Sequence, residues 1–363
     1  MADLNVIQDG AVLIRNGCIE HVGTTRQVEN LVPARQAREI DATGKVVMPA
    51  FVDPDIALTA PSGSVRTGGD SYETDIRRMS WRRMVGQTAA VAADLARYGV
   101  LNVGANTSFA PDLQSTSKAL RLYQAMHSRP LRIRSIFAPP IETGRQISEK
   151  WLVAIIRKKL ASILEISVAS GQIEDARSLA SAAAAAGFNI RLRATGPTTA
   201  ADVLELAYSS GAIALVGPVP GPSAISRTLA DVGCVAVVSA SGILSGNYSS
   251  KRSAIDDGTP VALASGYRQD CTASLNPQFL LYLACGAPGM TVEEAIVAAT
   301  YNAACSLRLS HVIGSLGPGK FADLCVMDVD DYHELARRAG HHDVYLVMRG
   351  GKIVYQRANL ALD

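Results

Sequence analysis

Eight short apolar runs recur along the middle of the chain, at residues 46–52, 99–105, 131–138, 162–168, 188–194, 212–216, 233–239 and 260–265, roughly 20 to 50 residues apart. Each is the length of a strand and is followed by text with helical start and stop signals. Thr291 and Glu294 form a capping box ahead of AIVAAT, Thr199 is placed to cap AADVLELAYSS, and the helix through Leu179–Ala186 stops at Gly187. Runs that are apolar on both faces suit parallel strands covered by helices. Eight β/α repeats favour a closed barrel over an open sheet, so the expected fold class is α/β, a (β/α)8 TIM barrel. No short repeat of solenoid type interrupts the pattern.

The two ends read differently. Asn16-Gly17 between two apolar runs in AVLIRNGCIEHV is a hairpin signal, and Ala37–Ile40 is a third strand candidate. Near the other end, Phe321–Met327 and Val344–Met348 read as strands, with Gly350-Gly351 turning into Lys352–Tyr355. The ends are therefore expected to build one small composite β-sandwich from residues 1–45 and 315–363, with the barrel at 46–314.

The formal net charge of +2 on 363 residues gives no reason to expect a nucleic-acid or membrane partner. No signal peptide is visible, and no run reaches the roughly 18 to 20 apolar residues of a membrane span. The six cysteines are scattered with no C-x-x-C pair, as expected of free thiols in the cytoplasm. No glycine-rich phosphate loop is present. Arg77, Arg78, Arg82 and Arg83 flank Met79, Trp81 and Met84, which reads as the wet face of an amphipathic helix with its tryptophan turned inward.

The first run ends in VMPAFVDPDIAL, where a buried strand meets two carboxylates, Asp53 and Asp55, at the place where barrels carry their chemistry. This stretch resembles the first barrel strand of the amidohydrolase superfamily, whose usual text is P-G-F-V-D-P/x-H-x-H. RNGCIEHVG and IDATGKVVMPAFVDP are similar to the opening of cyclic amidohydrolases. GMTVEEAIVAATYNAACSLRL, IGSLGPGKFADLCVMD and VMRGGKIV resemble their closing text. Within the superfamily, PVALASGY, LACGAPGMTVEEAI and GVLNVGANTSFAPDLQS are nearest to imidazolonepropionase-like enzymes. The resemblance implies a barrel with a β-sandwich made from both chain ends, and hydrolysis of C–N bonds in cyclic amides by a metal-activated hydroxide.

The same resemblance places the metal ligands after strands one (two histidines), five, six and eight. Here those positions hold Asp55, Ala57, Arg193, Gly217 and Gly266. Asn106 stands where a lysine follows strand two, and Pro140 and Ile141 where a histidine follows strand three. Glycine and alanine offer no donor, and an arginine adds a permanent positive charge where a divalent cation would sit. The expectation is a barrel without metal or other cofactor.

Asp53, Asp55 and Arg193 are the candidate catalytic residues that are left, and Asn106, Glu165, Tyr267, Arg268 and Asp270 the candidate substrate-binding ones. Arg193 either clamps a carboxylate of a small, anionic ligand or forms an ion pair with Asp55 or Asp53 that fills the emptied site. Tyr267, Arg268 and Asp270 either orient a ligand or are loop residues in solvent. The serines have no histidine base, because all six histidines fall in the terminal β unit, on outer helices or near the C-terminus. His341-His342 reads as a solvated tail of the sandwich. Two functions follow: a metal-independent small-molecule enzyme, or a catalytically inactive paralogue kept as a ligand-binding or assembly module. The family also carries an expectation of a homo-oligomer.

Overall fold

The computed structural model describes residues 3–59, 73–128, 130–140, 144–169, 171–195, 200–217, 229–246, 251–268 and 274–358. The strands are β1 Gly10–Arg15, β2 Cys18–Thr24, β3 Val46–Pro49, β4 Phe51–Ile56, β5 Val100–Asn106, β6 Arg132–Phe137 and β7 Ile163–Val168. They continue as β8 Asn189–Ala194, β9 Ala214–Val216, β10 Val235–Ser239, β11 Val261–Ala264, β12 Leu324–Met327, β13 Val344–Arg349 and β14 Lys352–Gln356. Strands β4 to β11 form one parallel sheet in chain order. The ends of that sheet meet through a parallel bridge between Ile56 and Tyr267, with Ala57 N–H donating to the Tyr267 carbonyl at 2.8 Å. The result is the (β/α)8 barrel that the eight runs predict.

Side chains alternate across the barrel wall, as strand geometry requires. Val52, Ile136, Ile163, Ala214, Val216, Val235, Val237, Ala262 and Ala264 pack together, joined by Ala303, Ala304 and Leu307 from the segment that follows the last barrel helix. Asn302 Nδ2 donates to the Val261 carbonyl at 2.9 Å, which ties that segment to the N-terminal end of β11. Phe51, Leu164, Leu192, Leu215, Val238 and Leu263 belong to a second, larger group with the surrounding helices. The lower barrel is thus largely filled with apolar atoms, apart from Asn102, which accepts from Arg132 Nε at 3.1 Å and donates to Asp323 at 3.4 Å.

The terminal strands form an antiparallel hairpin β1–β2 and a four-stranded sheet in the order β14-β13-β12-β3. Asn16 and Gly17 both take positive φ, as their turn demands. The run 46–52 proves to be two strands. Val46–Pro49 pairs with Leu324–Met327 in the terminal sheet, Ala50 N–H bonds to the Asp323 carbonyl, and the barrel strand begins at Phe51. Ala37–Ile40 is not a strand: Pro33 opens a 3-10 helix over Val32–Gln36, and the residues after it are exposed and belong to neither terminal sheet. Phe321 makes only an isolated bridge to Cys18, so the strand there starts at Leu324.

The capping box at Thr291 and Glu294 is present, and Gly187 sits at φ +83 past its helix. Thr199, Cys271 and residues 218–222 of the GPVPGP run lie outside the described residues. In helix Trp81–Arg97 the buried stripe starts at Met84, while Trp81 is 45% exposed, against the inward tryptophan expected. It lies in the first turn, one turn beyond the residues that reach the barrel wall. Among the described residues no helix is long and apolar enough to cross a membrane.

Gly104 marks the closest approach inside the barrel: a Cβ there would lie 2.5 Å from the Pro54 carbonyl oxygen and 2.7 Å from Leu307 Cδ2. Because the first of these neighbours is backbone, Gly104→Ala is expected to destabilise the fold by about 2–3 kcal/mol, read from the midpoint of urea unfolding.

Candidate functional site in the barrel mouth

Four charged side chains meet at the C-terminal end of the barrel. Arg191 and Arg193 are two residues apart on β8, so both point to the interior. Glu165 on β7 is in register with Arg191. Asp55 comes from the end of β4, where the pairing with β5 shifts between Asp53 and Ile56 and frees the Pro54 carbonyl. Arg193 Nε donates to Glu165 Oε1 at 2.6 Å, and its Nη2 reaches Glu165 Oε2 at 3.0 Å and Asp55 Oδ1 at 2.7 Å. Arg191 lies below it. Its Nη1 donates to the Pro54 carbonyl at 2.5 Å, and its Nη2 and Nε lie 2.7 Å from Asp55 Oδ1 and Glu165 Oε2. Those last two N–H groups do not point along the contact line, so the contacts are ionic rather than hydrogen-bonded.

The quartet is charge-balanced, two guanidiniums against two carboxylates. Arg191, Glu165 and Asp55 are buried, whereas the Arg193 side chain keeps 24% of its surface exposed. Burial alone would raise the pKa of Asp55. The charges of Arg193 and Arg191, with hydrogen bonds from Arg193 and Asn106, hold it below the ordinary carboxylate value. Burial likewise opposes the charge on Arg193, but Asp55 and Glu165 outweigh it and raise its pKa.

Asn106 completes the cluster: its Nδ2 donates to Asp55 Oδ1 at 2.9 Å, and its Oδ1 accepts from the Ser108 hydroxyl at 2.8 Å. The sequence-derived candidates Asp55, Glu165, Arg193 and Asn106 are therefore brought together, and the ion-pair alternative for Arg193 is the one seen. Asp53, a candidate catalytic residue, is held elsewhere. Its carboxylate accepts from the Ser265 hydroxyl and from Ser265 N–H at 3.2 Å, latching β4 to the segment after β11. It lines, with Phe51, Leu263 and Leu280, a cavity of about 20 Å³ behind the barrel wall, too small for any substrate. Tyr267 is half-buried, with its carbonyl engaged by Ala57, and Arg268 is half-buried beside it. Asp270 and Ile141 lie outside the described residues.

Arg191 escaped the sequence reading. The signal was present: in NIRLRA the two arginines share one face of a buried strand, and a buried charge needs an opposite charge in register. Ser265 was overlooked as the partner of Asp53. None of the six histidines bonds to a mouth residue among the described residues. His127 Nδ1 accepts from Ile133 N–H, and His342, read as solvated, is half-buried between the rings of Tyr98 and Tyr355.

With this geometry in hand, the comparisons fall into place. The amidohydrolase family profile matches residues 175–354. The imidazolonepropionase of Geobacillus kaustophilus is 28% identical over 98% of this chain and 92% of its own length. That of Porphyromonas gingivalis is also 28% identical, with the same coverage. Among solved structures, 5-methylcytosine deaminase from Klebsiella pneumoniae superimposes with a TM-score of 0.75 at 17% identity, covering 96% of this chain and 95% of that one. Ochratoxinase from A. niger gives a TM-score of 0.74 at 16% identity, covering 97% and 92%. The chain is a member of the amidohydrolase superfamily, and along its whole length it is imidazolonepropionase-like.

The side chains present do not fit the metal that this kinship implies. Ala57 is buried, with its N–H taken by Tyr267. Gly217 sits at φ +107, with Ala194 O 3.1 Å from where a Cβ would be. Gly266 sits at φ +63, and a Cβ there would come within 2.8 Å of Ser239 Cβ. The two carboxylates that could bind a cation are both engaged by guanidinium. Among the described residues no three His, Cys, Asp or Glu side chains are grouped to hold a metal.

Burial raises Asp53 to about 6, only partly offset by the Ser265 hydroxyl and the Asp55 N–H, and the neighbouring Asp55 charge adds to the rise. A carboxyl whose pKa is higher in the folded than in the unfolded chain stabilises the fold fully below the unfolded value, and that stability is lost as pH rises toward the folded one. The Asp53 contribution should therefore fall by about 3 kcal/mol between about pH 4 and pH 6. Urea unfolding of wild type and Asp53→Asn across that range should show the stability difference between them change by that amount, the wild type losing ground as pH rises.

Proposed function

We propose that this chain is a non-hydrolytic member of the superfamily that keeps the barrel as a small-molecule-binding module. The observation that carries the reading is the closed quartet of Asp55, Glu165, Arg191 and Arg193. Every position from which a hydroxide-activating metal would be held is apolar, lacks a side chain or is engaged in an ion pair. The group left to meet a ligand is the outer face of Arg193, whose Nη1 makes no hydrogen bond among the described residues. A planar guanidinium in a partly dry site favours a carboxylate or another planar acceptor. The relatives named imidazolonepropionase point to a small imidazolone-like molecule with a carboxylate arm. Five cysteines among the described residues are unpaired thiols, which supports a reducing, cytoplasmic setting.

A metal-independent enzyme is the second reading, favoured by the partial exposure of Arg193 beside the ionised Asp55. The guanidinium would stabilise negative charge developing on a bound carbonyl compound.

The deciding experiment incubates the purified chain with imidazolone and other cyclic amides bearing a carboxylate, following ring opening by absorbance and binding by thermal shift. The expected result is no turnover above buffer, with a melting-temperature rise for carboxylate-bearing molecules that disappears in Arg193→Ala. Turnover by the wild type that is lost in Arg193→Ala would establish the enzyme instead.

A further inference from the structure

We infer that Arg191 is a built-in cation of this barrel, a guanidinium that holds strand one to strand four as an internal cross-link and keeps divalent ions out of the mouth. The inference rests on the metal-free reading of the site given above and assigns its structural part to one residue. Arg191 is fully buried, yet it reaches three groups from two other strands: the Pro54 carbonyl and Asp55 of β4, and Glu165 of β7. No other side chain described in the mouth joins these strands from below. Arg193 touches the same two carboxylates from above while still a quarter exposed. The two arginines are thus unequal: the inner one serves the fold, and the outer one is the one open to a ligand.

The electrostatics agree. Two carboxylates in a buried site repel one another and need positive charge between them. Arg191 supplies that charge at 2.7 Å from each carboxylate. A divalent cation could take its place only by displacing a fully buried guanidinium from both carboxylates.

The test compares thermal melting of wild type, Arg191→Met and Arg193→Met, each with and without manganese chloride alone, together with elemental analysis of all three as purified. Arg191→Met should melt about 5–10 °C below wild type, and Arg193→Met by much less. Manganese should raise the melting temperature of Arg191→Met, where Asp55 and Glu165 keep only the outer guanidinium and carry an unmatched negative charge, and leave wild type unmoved. Should Arg191→Met fail to fold, the double variant Arg191→Met/Glu165→Met removes the stranded carboxylate and should recover a folded protein.

Stoichiometric metal in the wild type that is lost in Asp55→Asn would overturn the inference. So would an Arg191→Met variant as stable as wild type, or a double variant no better than the single one. Turnover of a cyclic amide would sink the functional proposal and leave these melting results standing, so the two fail separately.

Discussion

A single buried guanidinium sets the character of this molecule. Charge inside a barrel is tolerated only when it is matched at close range, and Arg191 matches two carboxylates while also using the carbonyl that the break in β4 pairing leaves open. Much of the upper barrel follows from that. Asp55 stays ionised, Asn106 is fixed by its bond to Asp55, and Ser108 is fixed by its bond to Asn106. Arg193 can then sit higher, sharing the same carboxylates and still meeting the mouth. The lower barrel depends on this less: Val52, Ile163, Val237 and Leu307 fill it with apolar contacts, and its own buried polar group, Asn102, is satisfied by Arg132 and Asp323.

The architecture was largely legible in the text. Strand-length apolar runs at regular spacing dictated eight parallel strands, because only a closed or covered sheet hides both faces of such runs. What misled was a run apolar throughout: 46–52 has no polar residue to show that its first half belongs to another sheet. The change of partner is imposed by Leu324–Met327, almost 300 positions away, and no local signal carries that. Ala37–Ile40 reads as a strand, but it follows directly on the 3-10 helix that Pro33 opens and stays exposed outside both terminal sheets.

The site was legible by halves. The polar residues at the strand ends could be read directly, and Arg193, Asp55, Glu165 and Asn106 do converge. Arg191 and Asp53 show the limit. Whether a side chain at a strand end faces the lumen or the outer layer depends on local register, and the shift around Pro54 puts Asp53 and Asp55 to different uses. Two aspartates two residues apart look like a catalytic pair on paper. In the fold one is a latch at the barrel seam and the other an anion for two arginines.

The glycines at 217 and 266 have a consequence for ancestry. A side chain lost from a roomy position can return by one substitution. Here the backbone has settled into conformations that L-residues avoid, and Ser239 has closed on the space at 266. A histidine or aspartate arriving at either place today would strain the chain before it met any metal. The two positions therefore act as a ratchet: placing a side chain at either would take several coordinated changes in backbone and neighbours, none useful alone.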